Sequence, residues 1–258
     1  MGSKTIRVRG RKLGGDGPPL LCSPLMGKSP ARLLREAAAV LAKSPDVIEW
    51  RADYFERIAD TATVVETGLA LRALLDDVPL IFTHRSAREG GQPTDLDDRG
   101  VVRLYEAIGA SGIADFLDFE MDNDRGYVRK VVETAHHQDV RVILSYHSFA
   151  RTPASKTLVK RFLDAQRLKA DVAKVAVMPK DLRDVLTLLS ATAEAHAKAR
   201  IPLISMSMGP LGAVTRMVGG LFGSSLTFAV GEGSSAPGQM PIADLRNIQR
   251  IIKRSQRK

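Results

Sequence analysis

The amino-acid sequence predicts an α/β fold: a (β/α)8 TIM barrel with an N-terminal β-hairpin closing the barrel bottom. Three observations carry this. Eight short apolar runs with β character alternate with segments of helical periodicity, a pattern that implies parallel strands joined by right-handed crossovers. The chain has 258 residues, 44% of them hydrophobic, a size at which eight such units close into a barrel. No G-x-G-x-x-G follows the first strand, which weighs against an open doubly wound sheet.

The stretch "TIRVRGRKLGGDGPP" reads as a short hairpin within residues 1–19, and residues 20–258 as the barrel, the whole forming one domain. The strands are "LLCSPLM" (20–26), "VIEWRAD" (47–53), "LIFTHRS" (80–86), "FLDFEM" (116–121), "RVILSYHS" (141–148), "VAKVAVM" (172–178), "PLISMSM" (202–208) and "SLTFAV" (225–230). "SPARLLREAAAVLA" starts a helix with Ser29 as cap and Pro30 at the first helical position. "SKTLVKRFLDAQRLKA", "DLRDVLTLLSATAEAHAKA" and "PIADLRNIQRIIKR" carry apolar residues at i, i+3, i+4 spacing.

Composition narrows the function classes. The apolar runs are too short to span a membrane, and "MGSKTIRVRG" has no apolar signal core. Ile6 breaks the myristoylation pattern. The single cysteine, Cys22, excludes an intrachain disulfide and suits a reducing, cytoplasmic location. The net charge of +9 comes from 38 Lys+Arg against 29 Asp+Glu. With aromatics at 5% and no helix-turn-helix, zinc or RNA-binding signature, it reads as a solvated basic surface and not as a nucleic-acid site.

Chemistry enters through strand parity. Glu49, Arg51 and Asp53 share one face of their strand, Thr83 and Arg85 one face of theirs, and Asp118 and Glu120 another. The opposite faces carry Ile48 and Trp50; Leu80, Phe82 and His84; and Leu117, Phe119 and Met121. In a barrel the apolar faces meet the helices, and the charged faces converge inside near the strand C-termini, where active sites lie. Lys174, in the apolar run "DVAKVAVMPK", shares the inward face with Ala176 and Met178. Burial, a net positive pocket and nearby cations (Arg51, Arg85, Arg216) would raise its neutral fraction. A neutral amine attacks a ketone to give a Schiff base, whereas a buried, salt-bridged lysine is the plain structural alternative. An imine enzyme needs a base, and His147, one strand from Lys174, is placed to serve. His84 falls on the outer face; His136, His137 and His196 fall in helices and read as surface residues. "SAREGGQPTD" (86–95), "GPLGAV" (209–214) and "GEGSSAPGQMP" (231–241) read as glycine-rich connections. With them, either Arg216 receives a carboxylate or backbone amides receive a phosphate.

Across "EWRAD", "FTHRSAREGGQ", "SYHSFARTP", "KVAVMP", "ISMSMGPLGAVTRMVGGLFGS" and "SSAPGQ", from about residue 5 to the last helix, the sequence closely resembles the type I 3-dehydroquinate dehydratases, lysine-dependent lyases of the shikimate pathway. The resemblance implies that Lys174 forms an imine with the C3 ketone of 3-dehydroquinate. It implies that His147 removes a C2 proton and later protonates the departing C1 hydroxyl, and that Glu89 pairs with His147. Glu49, Arg51 and Arg85 would hold ring hydroxyls. Arg216 would bind the carboxylate with Ser235 and Gln239 from a closing loop, and Met206, Met208 and Phe228 would form apolar walls. No metal or organic cofactor is implied, and a homodimer is. Tyr146 and Ser148 depart from the residues expected around the histidine, and Pro24 from the one expected in the first strand. By parity Tyr146 and Ser148 face the helices.

Two other readings compete. A lysine-imine aldolase or transaldolase acting on a sugar phosphate would share Lys174, but not the joint set of Arg216, Ser235, Gln239 and the His147–Glu89 pair. A basic nucleic-acid-binding protein would need none of these.

Overall fold

In the computed structural model, which describes residues 4–256, an antiparallel hairpin of β1 (Thr5–Val8) and β2 (Arg11–Gly14) precedes eight parallel strands. These are β3 (Leu20–Leu25), β4 (Val47–Arg51), β5 (Leu80–Thr83), β6 (Phe116–Glu120), β7 (Arg141–Ser148), β8 (Val172–Val177), β9 (Leu203–Ser207) and β10 (Leu226–Val230). The intervening helices are α1 (Pro30–Leu41), α2 (Thr61–Leu75), α3 (Asp98–Ala110), α4 (Arg125–His137), α5 (Ser155–Arg167), α6 (Leu182–Lys198) and α7 (Gly209–Val218). A two-residue strand, β11 (Met240–Pro241), and α8 (Ile242–Ser255) complete the order.

The wall runs β10-β3-β4-β5-β6-β7-β8-β9. It closes between β9 and β10 at one point, not through a ladder: Leu203 bridges Ser224, and the Ser225 N–H donates to the Leu203 carbonyl at 2.7 Å. Higher up, β11 pairs with β10 through Ala229 and Val230. The connection 231–239 therefore returns to the barrel beside its mouth.

Parity sorts the side chains as expected. Outward residues such as Ile48, Trp50, Phe82, Leu117, Phe119, Leu144 and Val175 pack under the helices in the main core. An edge-to-face chain of rings, Trp50–Phe82–Tyr105–Phe119 with centroids 5.1–5.5 Å apart, ties β4, β5 and β6 to α3. Inward residues Cys22, Val47, Ile81, Phe116, Ile143, Val172, Ile204 and Leu226 form an apolar floor. Leu13, with Ile6 and Val8, packs against it from the hairpin, so the N-terminal segment does close the bottom.

Several local expectations are corrected. "VIEWRAD" leaves the wall at Arg51, and Ala52–Tyr54 forms a 3-10 turn. "LIFTHRS" ends as a strand at Thr83. "GPLGAV" is not a loop but the first turns of α7, which places Arg216 in the last turn. Ser29 and Pro30 occupy their expected positions, but the Ser29 side chain makes no capping bond. His196 is half-buried, packed against Gly223, with Nδ1 buried and unpartnered among the described residues. Pro24 has no N–H to offer the sheet; beside it the Ser23 hydroxyl donates to the Ala229 carbonyl at 3.1 Å.

Leu13→Ala would leave a void between hairpin and floor. The expected loss is about 2–5 kcal/mol, read by urea unfolding through the fluorescence of Trp50, the single tryptophan. An unchanged midpoint would show that the hairpin contributes no packing.

Candidate active site

The inward face changes character above the floor. In register, Ser145 lies beside Lys174, His147 beside Ala176, and Ala176 beside Met206. β4 adds Glu49 and Arg51, and β6 adds Asp118 and Glu120. Apolar residues fill the lower barrel, so any polar residue on the same faces is confined to the upper half, under the connecting loops.

Lys174 is almost fully buried. Its Nζ donates to Asp118 Oδ2 at 2.7 Å, lies 3.5 Å from Glu49 Oε1 and sits 4.5 Å above the centre of the Phe228 ring. The nearest charges are thus carboxylates, not the expected cations. The three arginines are engaged elsewhere. Arg51 forms a two-pronged pair with Asp53 at 2.8 Å on both arms. Arg85 donates to Asp118 (2.7 Å), Ser145 (2.8 Å) and Glu120 (3.3 Å). The pocket is not net positive: four cations (Arg51, Arg85, Lys174, Arg216) face Glu49, Asp53, Glu89, Asp118 and Glu120. Burial opposes ionisation of Asp118, but Arg85 and Lys174 hold it well below the usual carboxylate range. Burial likewise opposes ionisation of Asp53, and Arg51 overrides it.

His147 Nδ1 lies 2.8 Å from Glu89 Oε2, and the same oxygen accepts the His147 backbone N–H at 3.0 Å. Glu89 ends the 3-10 turn Ala87–Glu89. Gly90 follows at φ +82°, where an added Cβ would lie 2.3 Å from the Phe149 ring, so only glycine turns the chain there. Burial pushes Glu89 up, to about 8, against the pull of Arg85. Burial, with the Arg85 and Lys174 cations, pushes His147 well down. The two shifts describe one proton shared by the pair. Its loss leaves a carboxylate facing Nδ1–H and a free lone pair on Nε2. Tyr146 does face the helices, under the Arg161 guanidinium at 4.2 Å, so the departures flanking His147 leave this pair intact.

Arg216 is nearly fully buried, without a carboxylate partner. Its Nη2 donates to the Pro237 carbonyl at 3.2 Å, Nη1 meets Met206 Sδ at 3.7 Å, and Nε has no partner among the described residues. Burial lowers its pKa to about 10. A desolvated guanidinium without a counter-ion is costly, and an anion would relieve it. The connection 231–239 lies over it. Lys43 tethers its start through the Gly231 carbonyl (2.6 Å) and Glu232, and the Gly209 N–H donates to Pro237 at 3.1 Å. Gly238, at φ +79°, passes so close to Gly209 that a Cβ would fall 2.4 Å from its carbonyl. Ser235 and Gln239 hydrogen-bond each other at 3.1 and 3.2 Å.

Every residue to which the sequence or the resemblance gave a site role, except Arg216, lines one cavity: Lys174, His147, Glu89, Glu49, Arg51, Arg85, Ser235, Gln239, Met206, Met208 and Phe228, together with Gly90 and Phe149. Arg216 reaches Met206 and the overlying loop. With the loop down, the cavity is about 40 Å³. A larger groove of about 740 Å³ lies outside the barrel between α4 and α5, away from this chemistry. Among the described residues no group of three or more His, Cys, Asp or Glu is arranged to hold a metal ion, and no helix is long and apolar enough to cross a membrane.

The model of the type I 3-dehydroquinase family matches residues 21–256. The chain belongs to that family. It is 47% identical over 253 residues to the 3-dehydroquinate dehydratase of Albidiferax ferrireducens, covering 98% of this chain and 96% of the relative. It superposes on the crystal structure of the enzyme from Geobacillus kaustophilus with a TM-score of 0.96 at 46% identity, over 98% of both chains. The type I enzyme from Clostridium difficile, solved with covalently modified comenic acid, gives 0.94 at 36% identity, over 98% of this chain and 100% of that one. The protein is an enzyme, a lyase of the dehydroquinate dehydratase class on a TIM barrel.

Sequence reasoning placed Asp53, Asp118 and Glu120 on inward faces but gave them no role. Parity shows a face, not a partner: Asp118 and Glu120 take theirs from other strands and the turn after β5, and Asp53 pairs with Arg51 only because the chain turns between them. Asp53 binds Arg51 and accepts the backbone N–H groups of Arg85 (3.3 Å) and Gln92 (3.0 Å). Asp53→Ala strips these bonds and leaves the buried Arg51 charge uncompensated. The expected cost is about 3–5 kcal/mol in urea unfolding; a loss below 1 kcal/mol would show that Arg51 finds another anion.

Proposed function

We propose that the enzyme dehydrates 3-dehydroquinate to 3-dehydroshikimate in the shikimate pathway by syn loss of water through a Schiff base on Lys174, with His147 as general acid and base. The observation that carries this reading is the convergence on one loop-covered cavity of a buried lysine, a carboxylate-paired histidine and, at its edge, an arginine without a counter-ion. Family membership supports the substrate, and the covalently modified ligand of the Clostridium difficile relative fits a nucleophile in this site.

The chemistry follows from the geometry. Imine formation at C3 turns the ketone into an electron sink, which acidifies the C2 proton. His147, with Nδ1 held by Glu89 and Nε2 free, takes that proton and returns it to the C1 hydroxyl as water leaves. The substrate carboxylate replaces the Pro237 carbonyl as partner of Arg216. Ser235 and Gln239 exchange their mutual hydrogen bonds for bonds to substrate. The closed cavity is far smaller than ordinary ligand pockets of roughly 300–1,000 Å³, so the 231–239 loop lifts to admit substrate and closes to exclude water. Glu49 and Arg51 face the ring hydroxyls. Arg85 has most of its donors committed to Asp118, Ser145 and Glu120, so its part is to hold the wall as well as a hydroxyl. The joint presence of Arg216, Ser235, Gln239 and the His147–Glu89 pair around Lys174 weighs against the sugar-phosphate aldolase reading.

Borohydride added with 3-dehydroquinate should leave a mass adduct on the Lys174 peptide, absent in Lys174→Ala. An adduct that survives in that variant moves the nucleophile elsewhere. His147→Ala should trap imine yet lose at least about 100-fold in kcat; near-normal turnover removes His147 from the base role. Glu89→Gln removes the carboxylate that helps hold the pair's proton. The acid limb of kcat/KM should therefore fall by about one pH unit or more, and an unmoved limb in the pH profile would break the pairing.

A further inference from the structure

We propose that Asp118 is the fixed counter-ion of the Schiff base: it holds the charge and the remaining N–H of the Lys174 nitrogen from ammonium through to iminium. This rests on the imine reading above and extends it to a residue that does not touch substrate.

The geometry sets Asp118 behind the nucleophile. It is fully buried and does not line the cavity, whereas Lys174 does. Its Oδ2 receives Nζ at 2.7 Å, the distance of a charge-assisted bond. The other carboxylate near the lysine, Glu49, is farther, at 3.5 Å, and is occupied by the Thr83 hydroxyl at 2.9 Å. Glu49 lines the cavity and is free to meet a ring hydroxyl. The two carboxylates flanking the lysine thus face different ways, one toward the wall and one toward the ligand.

The reaction balances on this arrangement. An ammonium (three hydrogens, charge +1) and a ketone oxygen give an iminium (one hydrogen, charge +1) and one water. The nitrogen keeps its charge and one N–H while two protons depart with the oxygen. A carboxylate fixed against that N–H serves the nitrogen before and after, with no reorganisation at the moment of reaction. Without it, a buried iminium would lose its proton to escape desolvation, and a neutral imine is a poor electron sink. The opposite danger is a counter-ion so strong that it resists neutralisation of the nitrogen as the C2 electrons flow in. Asp118 Oδ1 is tempered against this: it accepts from Arg85 at 2.7 Å and from the Ser145 hydroxyl at 2.6 Å, which draws charge away from Oδ2.

Other groups meet the nitrogen and its carboxylate from every side. They are Cys22 of β3, whose thiol burial pushes well up; Glu49 of β4; Arg85, just beyond β5; and His147 of β7. β9 and β10 present the apolar Ile204, Met206 and Phe228. Asp118 holds Nζ at 2.7 Å against 3.5 Å for Glu49, so its removal takes away the nearer carboxylate.

The test is the alkaline limb of kcat, which reports the enzyme–substrate complex, measured alongside borohydride trapping. Parent enzyme should give the Lys174 adduct. Asp118→Asn should move the alkaline limb down by about one pH unit or more, with roughly tenfold loss of kcat at pH 8 that is partly recovered at pH 6. Ser145→Ala, which removes a donor from Asp118 without touching substrate, should move the limb upward. A merely structural Asp118 would lower kcat without shifting the limb. If the parent traps imine but neither variant moves the limb, the counter-ion role is overturned; if Asp118→Asn fails to fold, an unmoved limb in Ser145→Ala overturns it alone. Absence of the adduct in the parent overturns the imine reading itself, and the counter-ion with it.

Discussion

A lysine charge can sit halfway up the inside of a closed barrel only if an anion meets it there, and the rest of the upper barrel is arranged around that requirement. Lys174 meets Asp118; Asp118 is shared with Arg85 and Ser145; Arg85 reaches on to Glu120, which also accepts the backbone N–H and hydroxyl of Ser86. One buried ion therefore draws in residues from β6, β7 and β8 and from the turn after β5. Buried ion networks of this kind are weak as sources of stability, because desolvation offsets most of their attraction. What they supply is position: each side chain has few alternatives that leave no charge unpaired.

The lower barrel makes the network possible. Val47, Ile81, Phe116, Ile143, Val172 and Ile204 close the floor, and Leu13 seals it from below. That apolar layer shields the ions from solvent below, which strengthens their mutual effects, and the cavity they line lies under the loop 231–239. The weak seam between β9 and β10 belongs to the same design. The wall there is held at one bridge, and β11 returns the loop to the barrel beside it.

The site divides into charges that are balanced and one that is not. Arg51 and Arg85 are matched to carboxylates of the chain itself, while Arg216 has a backbone carbonyl and a sulfur for company. The difference lies in partners and not in charge counts, since the interior as a whole is not positive.

Strand parity alone, read along the chain, determined which side chains enter the barrel. Glu49, Arg51, Asp118, Glu120, His147 and Lys174 all point inward, and Trp50, Phe82, His84 and Tyr146 all point outward, because the period of two is a local property of extended backbone. The long shared motifs determined the family for the same reason: they are written in order along the chain. Partners were decided by the tertiary structure. That the nearest charges to Lys174 are anions, and that Glu89 takes both the ring and the backbone of His147, depend on which strands lie side by side and at what height. Register between strands well separated in sequence, such as Ile48 beside Leu80 and Ile81 beside Phe116, is set by the packing of the whole wall. The sequence alone therefore determined which strand side chains enter the upper barrel, and only the closed barrel decided which charges neutralise one another and which, like that of Arg216, have no carboxylate partner among the described residues.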